Sequence, residues 1–199
     1  QCLVGSEMCI RDRRKPDAAD LVGKDCDVIF LDTETTGLDP EADEILQISV
    51  MNNSGEILLN SYIRPEHKTE WTAAEAINHI SPQMVKNAPL MSDIAPLISK
   101  IMSGAKVAVA YNIDFDWHFI SKALEENGFD FENDTPELRC CMKKFSEIYG
   151  EWDSERLRYR WQKLSTAASY YNIPWRGQAH GSLADTFMCR DVWNKMNDD

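Results

Sequence analysis

The sequence predicts an α/β fold in which one mixed five-stranded sheet is flanked by helices. Three apolar segments within residues 27–63 are joined by turn-forming residues, which is typical of an antiparallel meander. After residue 72, segments of helical periodicity alternate with short buried strands, which indicates parallel strands added to the same sheet. We therefore expect one domain over residues 26–199, preceded by an irregular lead-in at 14–25.

The individual elements follow from apolar periodicity and turn signals. The first strand is apolar and β-branched at its start and runs into a Gly-Leu-Asp-Pro turn at 37–40. Ser81 followed by Pro82 predicts the start of a helix with proline at its first position. Strands are predicted at 27–33, 45–51, 56–63, 107–111 and near 138–142. Helices are predicted in pieces within 72–103, at 114–127, and near 142–150, 163–172 and 183–196.

The first thirteen residues are set apart from the fold. Residues 3–12 resemble the translation of a transposase-type sequencing adapter, with Cys2 and Arg13 at its two ends. A secretory signal is the alternative, but no apolar segment of adequate length follows the start. We therefore expect residues 1–13 to be a non-native assembly scar.

Charge and composition limit the classes of function. The chain has 33 acidic and 21 basic residues, a net charge of −12, which argues against binding long nucleic acid by bulk positive charge. Acids that surround metal ions are still compatible with a nucleic-acid enzyme, because the ions reverse the local field. No apolar run reaches membrane-spanning length, so we expect no membrane partner. The cysteines after residue 13 lack metal-binding spacing, so we expect reduced thiols in a cytoplasmic protein.

Two carboxylates close the first strand. Asp32 and Glu34 are two positions apart, so both side chains project from the same face of the strand. They would repel one another unless a cation lay between them, and hard oxygen ligands suit Mg²⁺ or Mn²⁺. The alternative is a strand end that frays into the polar turn at 35–37, where acids are common.

A second polar group lies where the fourth strand enters a helix. Asn112 or Asp114 can cap that helix, and we expect Asp114 to cap or to face solvent. Asp116 falls in the first turn, where a carboxylate also gains from the helix dipole. Because Phe115 and Phe119 should face the core, we expect Asp116 to turn toward the strand ends.

A third group, His180 and Asp185, opens the last helix. A neutral imidazole beside metal-bound water is the natural general base near pH 7. A lone histidine is more often an ordinary surface or core residue, so that alternative stays open. Gly181 and Ser182 are small, which lets this segment approach the sheet but is expected to hold the histidine loosely.

Together the three groups resemble the motifs of the DEDDh 3′–5′ exonucleases, the family of the proofreading epsilon subunit of bacterial replicative polymerase. The matches are Asp-Thr-Glu-Thr-Thr-Gly at 32–37, Asn112-x-x-Phe115-Asp116, and His180-x-x-x-x-Asp185. A sister branch has tyrosine where this chain has Gly181, so the histidine branch fits. The resemblance covers roughly residues 27–196 and implies a ribonuclease H-like fold.

The resemblance also implies a reaction: release of nucleoside 5′-monophosphates from the 3′ end of single-stranded DNA with two Mg²⁺ or Mn²⁺ ions. Asp32, Glu34 and Asp185 would hold one ion, and Asp32 with Asp116 the other. His180 would take the proton from the attacking water. The residues expected to seat the terminal nucleotide are Thr35, Thr36, Leu38 and Asn112, although Leu38 could equally be a packed loop residue.

One basic and aromatic stretch bears on the substrate. Arg156, Arg158 and Arg160 alternate with aromatic residues, a composition that suits a single strand through phosphate contact and base stacking. A solvated helix face is the alternative.

RNA or short oligonucleotides remain an alternative substrate, because the 2′-hydroxyl contact cannot be read from sequence. A non-catalytic binding module is a further alternative. A polymerase partner is not visible in the sequence.

Overall fold

The computed structural model describes Leu21 and residues 24–130, 135–177 and 181–198. The adapter-like segment 1–13 and most of the predicted lead-in lie outside these ranges. The strands are β1 (Val28–Thr35), β2 (Ile45–Asn52), β3 (Ile57–Tyr62), β4 (Val107–Ala110), β5 (Glu137–Cys140), β6 (Trp152–Asp153) and β7 (Arg158–Tyr159). The helices are α1 (Thr72–Asn78), α2 (Pro82–Val85), α3 (Met91–Gly104), α4 (Ile113–Glu126), α5 (Cys141–Tyr149), α6 (Leu164–Tyr170) and α7 (Ser182–Asp198).

The first five strands form one mixed sheet in the order β3-β2-β1-β4-β5. β1, β2 and β3 pair antiparallel, whereas β4 is parallel to β1 and β5 is parallel to β4. The predicted five-stranded mixed sheet is therefore confirmed. Because β1 and β4 run in the same direction, the end of β1 and the start of α4 meet at one edge of the sheet, where α/β proteins place their ligands.

Helices cover both faces of the sheet, which explains why β1 begins as a continuous apolar run. Side chains alternate along β1, so Ile29 and Leu31 pack on the side of α3 and α4, while Phe30 packs on the side of α5, α6 and α7. All three of these side chains are fully buried. The two helical layers therefore approach the end of β1 from opposite sides.

The segment between β3 and α3 packs against the start of β2. Trp71, Ile80 and Val85 surround Leu46, and the Trp71 indole donates a hydrogen bond to the Ile80 carbonyl at 2.6 Å. The buried Asn78 amide donates to the Thr35 carbonyl at 3.2 Å, which ties the end of α1 to the end of β1. Pro82 occupies the first position of α2, as predicted.

The chain between α5 and α6 forms a small hairpin, because β6 and β7 pair antiparallel and α6 begins only at Leu164. The alternative interpretation of residues 156–163 as a solvated helix face is therefore wrong. The order Arg-Tyr-Arg-Trp at 158–161 alternates with the period of two that strands require. Leu157 lies in the turn with a φ of 51°, a left-handed conformation that interrupts any helix there.

None of the helices within the described ranges is long and apolar enough to cross a membrane.

Candidate active site

Three carboxylates meet beside the end of β1. Asp32 and Glu34 project from the face of β1 that carries α7, and Asp185 lies in the first turn of that helix. Each residue offers an oxygen atom, and these oxygens all lie within 4.8 Å of one another. The predicted pairing of Asp32 and Glu34 with Asp185 is therefore present in the geometry.

Asp116 reaches the same edge from the other helical layer. Its Oδ1 accepts hydrogen bonds from the backbone N–H of Thr33 at 2.9 Å and from the Thr33 hydroxyl at 2.8 Å. Thr33 stands between Asp32 and Glu34 in the strand, so these two bonds fix the fourth carboxylate next to the other three. Asp116 is buried, with 3% of its surface exposed, and turns toward the strand ends as the sequence predicts.

The four acids perturb one another strongly. Burial, and then the charges of Asp116, Asp185 and Glu34, raise the pKa of Asp32 well above its usual range. Burial and the charges of Asp185 and Asp116 raise the pKa of Glu34 to about 8. Burial raises the pKa of Asp116 to about 7, although the Thr33 hydrogen bonds act against this rise. The cation-free cluster therefore retains protons at neutral pH.

This donor set fits a divalent cation. Clustered carboxylate oxygens are the ligands that Mg²⁺ and Mn²⁺ prefer, and a bound cation would replace the protons that the cluster otherwise holds. Asp114 stands apart from the cluster. Its side chain is largely exposed and pairs with Lys143 at 2.5 Å, as expected for an acid that is not a ligand.

A row of polar residues on β2 anchors the helix that carries Asp185. Ser49 lies opposite Asp32 in the sheet, and its hydroxyl is 2.6 Å from the Ser182 hydroxyl at the start of α7. Gln47, opposite Glu34, accepts a long hydrogen bond from the Ser182 N–H at 3.4 Å. Ser182 is completely buried. Ser182 is therefore a fixed point that positions Asp185.

His180, the predicted general base, lies outside the described residues, which resume at Gly181. Its role stays a prediction.

The loop after β1 carries the residues predicted to seat a terminal nucleotide. The Thr36 N–H donates to the Glu44 carbonyl at 2.8 Å, and its hydroxyl donates to Asp43 at 3.1 Å. The Thr35 hydroxyl donates to the Gly37 carbonyl at 2.5 Å. These hydroxyls therefore brace the loop, and the Thr36 N–H is likewise engaged within it.

The same loop exposes a leucine. Leu38 is 84% exposed, so the alternative of a packed loop residue is wrong. Gly37 is required beside it, because a Cβ atom there would lie 2.2 Å from the Asp43 carboxylate. The close approach of Asp43 therefore fixes the backbone from which Leu38 projects.

A cavity of about 200 Å³ opens over the acids. Asn112 lines it and makes no side-chain hydrogen bond as the N-cap of α4, so the structure places this predicted residue at the site. Tyr111 and Leu164 also line the cavity, although no sequence pattern predicted them there, and Phe115 both lines it and packs against the core as predicted. The only available signal for Phe115 is its position directly before Asp116. The described lining is Asp32, Thr33, Glu34, Tyr111, Asn112, Phe115, Asp116, Leu164 and Asp185.

The three arginines lie on and around the hairpin rather than in the cavity lining. Arg156 is exposed in the turn, and the Arg158 guanidinium carbon lies 3.8 Å from the ring centroid of Trp161. Arg160 pairs with Glu151 at 2.9 Å across the base of the hairpin. Arg160 therefore forms an ion pair within the hairpin, whereas no ion pair of Arg156 or Arg158 is found among the described residues.

The fold and the acid cluster define a nuclease of the phosphodiester hydrolase class. The sequence model of the RNase_T family, described as Exonuclease, matches residues 29–192. The chain belongs to this exonuclease family. The predicted membership of the DEDDh-type 3′–5′ exonucleases, with their ribonuclease H-like fold, is thereby confirmed.

Individual relatives agree with this assignment. The chain is 35% identical over 168 residues to the uncharacterized exonuclease CP81 of Escherichia phage 186, covering 81% of this chain and 84% of that protein. It is 30% identical over 174 residues to the PolC-type DNA polymerase III of Caldanaerobacter subterraneus, covering 84% of this chain but 11% of the polymerase.

A solved structure shares the fold. Exonuclease I of E. coli, in complex with a dT13 oligonucleotide, has a TM-score of 0.71 to this chain at 16% identity. The similarity covers 85% of this chain and 40% of Exonuclease I. The chain therefore spans less than half of Exonuclease I and a small part of the polymerase.

Proposed function

We propose that this chain hydrolyses phosphodiester bonds one at a time from the 3′ end of single-stranded DNA, releasing nucleoside 5′-monophosphates by a two-metal mechanism. The observation that carries the proposal is the convergence of Asp32, Glu34, Asp116 and Asp185 at the end of β1. Its support also includes the family and the single-stranded oligonucleotide bound by Exonuclease I.

Two divalent cations, Mg²⁺ or Mn²⁺, suit this acid cluster. Asp32, Glu34 and Asp185 would hold one ion, because their oxygens are mutually close. Asp32 and Asp116 would hold the second. When bound, such ions neutralise the carboxylates and stabilise the attacking and leaving oxygens of phosphoryl transfer.

The remaining residues bind the strand and move the proton. His180 accepts a proton from the water that attacks the terminal phosphorus. The bond between that phosphorus and the 3′ oxygen of the preceding nucleotide breaks, and the leaving oxygen takes up a proton to become the new 3′ hydroxyl. Leu38 packs against the terminal base, as its exposure allows. Asn112 and Phe115 contact the terminal nucleotide from the cavity wall.

The test compares DNA and RNA oligonucleotides of matched sequence, labelled at either the 3′ or the 5′ end, with and without Mg²⁺. Asp116→Asn is the informative variant. Asp114→Asn is its matched control, because it removes an acid from the same helical turn that pairs with Lys143 outside the cluster. We expect metal-dependent mononucleotide release from the 3′ end that Asp116→Asn abolishes and Asp114→Asn retains.

Two further arms test the finer assignments. His180→Ala should lose activity while still binding substrate, and the ratio of DNA to RNA cleavage fixes the substrate. Preferred RNA cleavage would replace the DNA assignment. Absence of release from every oligonucleotide would favour a non-catalytic binding module.

A further inference from the structure

The β6–β7 hairpin presents an unusual amount of aromatic surface. Trp152 and Tyr159 are directly paired across the two strands, with their rings edge to face at 5.2 Å between centroids. Trp152 is 54% exposed and Trp161 is 45% exposed. A two-stranded hairpin is only marginally stable by itself, and exposed aromatic surface on it is typical of an interaction site.

The hairpin is tied to the wall of the acidic cavity. The Tyr111 hydroxyl donates a hydrogen bond to the Gln162 carbonyl at 2.7 Å, and Tyr111 itself lines the cavity. Leu164, another lining residue, is three positions after Trp161, so their Cα atoms lie at most about 11 Å apart. The aromatic surface therefore begins within a short reach of the acids.

The charge next to these rings is positive. Arg158 lies in β7, which contacts α5, the helix that carries Lys143. Arg158 also stacks on Trp161, so cation and ring form one surface.

Two acidic residues, Asp153 and Glu151, are engaged within the hairpin. Asp153 accepts the backbone N–H groups of Glu155 and Arg156, both at 3.1 Å, and so closes the turn. Glu151 accepts a hydrogen bond from the Gln162 side chain at 2.9 Å and pairs with Arg160. Arg156 and Arg158 are then the cations that the hairpin presents to a ligand, beside the exposed side chain of Glu155.

We infer that the hairpin is a stacking platform for the bases that precede the terminal nucleotide, with Trp152, Tyr159 and Trp161 as the stacking rings. Arg156 and Arg158 contact the phosphates between those bases. Aromatic rings flanked by arginine suit a single strand of any sequence, because every base offers a flat face. A nucleic-acid strand whose 3′ end lies in the cavity must cross a surface next to the cavity. The rings and arginines of the hairpin are chemically complementary to such a strand. The inference rests on the proposed exonuclease function.

The test measures how cleavage depends on oligonucleotide length. The substrates are dT2, which has only one base before the terminal nucleotide, and dT12 and rU12, which extend across the platform. In the double variant Trp152→Ala and Trp161→Ala, the ratio of kcat/KM for dT12 to that for dT2 should fall about ten-fold or more. The Kd of 5′-labelled dT12, measured by fluorescence anisotropy in EDTA, should rise by a similar factor.

Two controls keep the result interpretable. Trp161→Phe keeps an aromatic face and should restore most of the length dependence, which a merely structural loss would not do. Ile148→Ala removes an exposed apolar side chain from the neighbouring α5 and should leave the ratio unchanged. Circular dichroism confirms that each variant folds.

An unchanged ratio and an unchanged Kd in the double variant would overturn the platform and leave the aromatic surface to a protein partner. If the double variant loses more kcat/KM for rU12 than for dT12, the platform would be assigned to RNA. If the wild-type chain cleaves no oligonucleotide at all, the proposed function fails. The anisotropy measurement then decides separately whether the hairpin binds a single strand.

Discussion

Replacing Glu34 by glutamine should stabilise the cation-free protein at neutral and alkaline pH while abolishing its activity. Glu34 lies among three other carboxylates, and burial with the charges of Asp185 and Asp116 raises its pKa to about 8. The amide has nearly the same shape but cannot ionise. It therefore removes one source of repulsion and one cation ligand at the same time.

The magnitude follows from the shift in the pKa of Glu34. The unfolded chain releases this proton near its ordinary value of 4.5, whereas the folded protein holds it to about 8. Between these values only the folded state is protonated, so the free energy of unfolding falls by roughly 1.4 kcal/mol per pH unit. The loss approaches about 5 kcal/mol above pH 8 and vanishes below pH 4.5.

The measurement is urea unfolding, followed by tryptophan fluorescence in EDTA at pH 5, 6, 7 and 8. The wild-type chain should lose stability toward pH 8, and Glu34→Gln should lose less, because only Asp32 and Asp116 of the groups with raised pKa values still ionise there. Glu125→Gln serves as the control, because it removes an exposed carboxylate from α4. Added Mg²⁺ should flatten the wild-type profile, because a bound cation holds the carboxylates in their ionised form.

Parallel pH profiles for wild type and Glu34→Gln in EDTA would refute this reasoning. So would a variant that is less stable than wild type at pH 8. Either result would mean that the folded protein does not concentrate repulsion at this cluster.

Three further predictions follow from the contacts around the site. Ser49→Ala removes the hydroxyl that contacts the buried Ser182 hydroxyl, and it should lower the free energy of unfolding in urea by about 1–3 kcal/mol. Calorimetry should also show weaker Mn²⁺ binding. Thr33→Val removes a hydrogen bond that lowers the pKa of Asp116, so the acidic limb of the kcat/KM profile should move to higher pH; an unmoved limb would contradict this. Gly37→Ala forces its Cβ against the adjoining carboxylate and should raise KM more than it lowers kcat in steady-state assays, whereas equal effects would mean a general fold defect.

The acids could be predicted because local rules fix their directions. Strand alternation alone places Asp32 and Glu34 on one face, and helix entry places Asp116 toward the strand ends. The anchoring of α7 could not be predicted in this way. The contact between Ser49 and Ser182 joins residues 133 positions apart, and no local pattern indicates which buried serine will face another.

The hairpin is a clearer example of a structure that local sequence patterns cannot predict. The stretch at 156–163 carries alternating arginines and rings, which two strands or one exposed helix face could both accommodate. The outcome depends on pairing between Trp152 and Tyr159 and on the turn closed by Asp153, both of which involve residues outside that stretch. Its anchoring through Tyr111 depends on the tertiary fold and has no sequence signal.

The dependence of the acid cluster on α7 has a consequence for the order of synthesis. A nascent chain that has emerged only as far as α6 contains Asp32, Glu34 and Asp116 but lacks the residue that completes their grouping. Ser49 and Gln47 of β2 then lack their contact with Ser182 of α7. Under the proposed mechanism, the chain therefore becomes catalytically competent only after α7 leaves the ribosome and docks on the sheet.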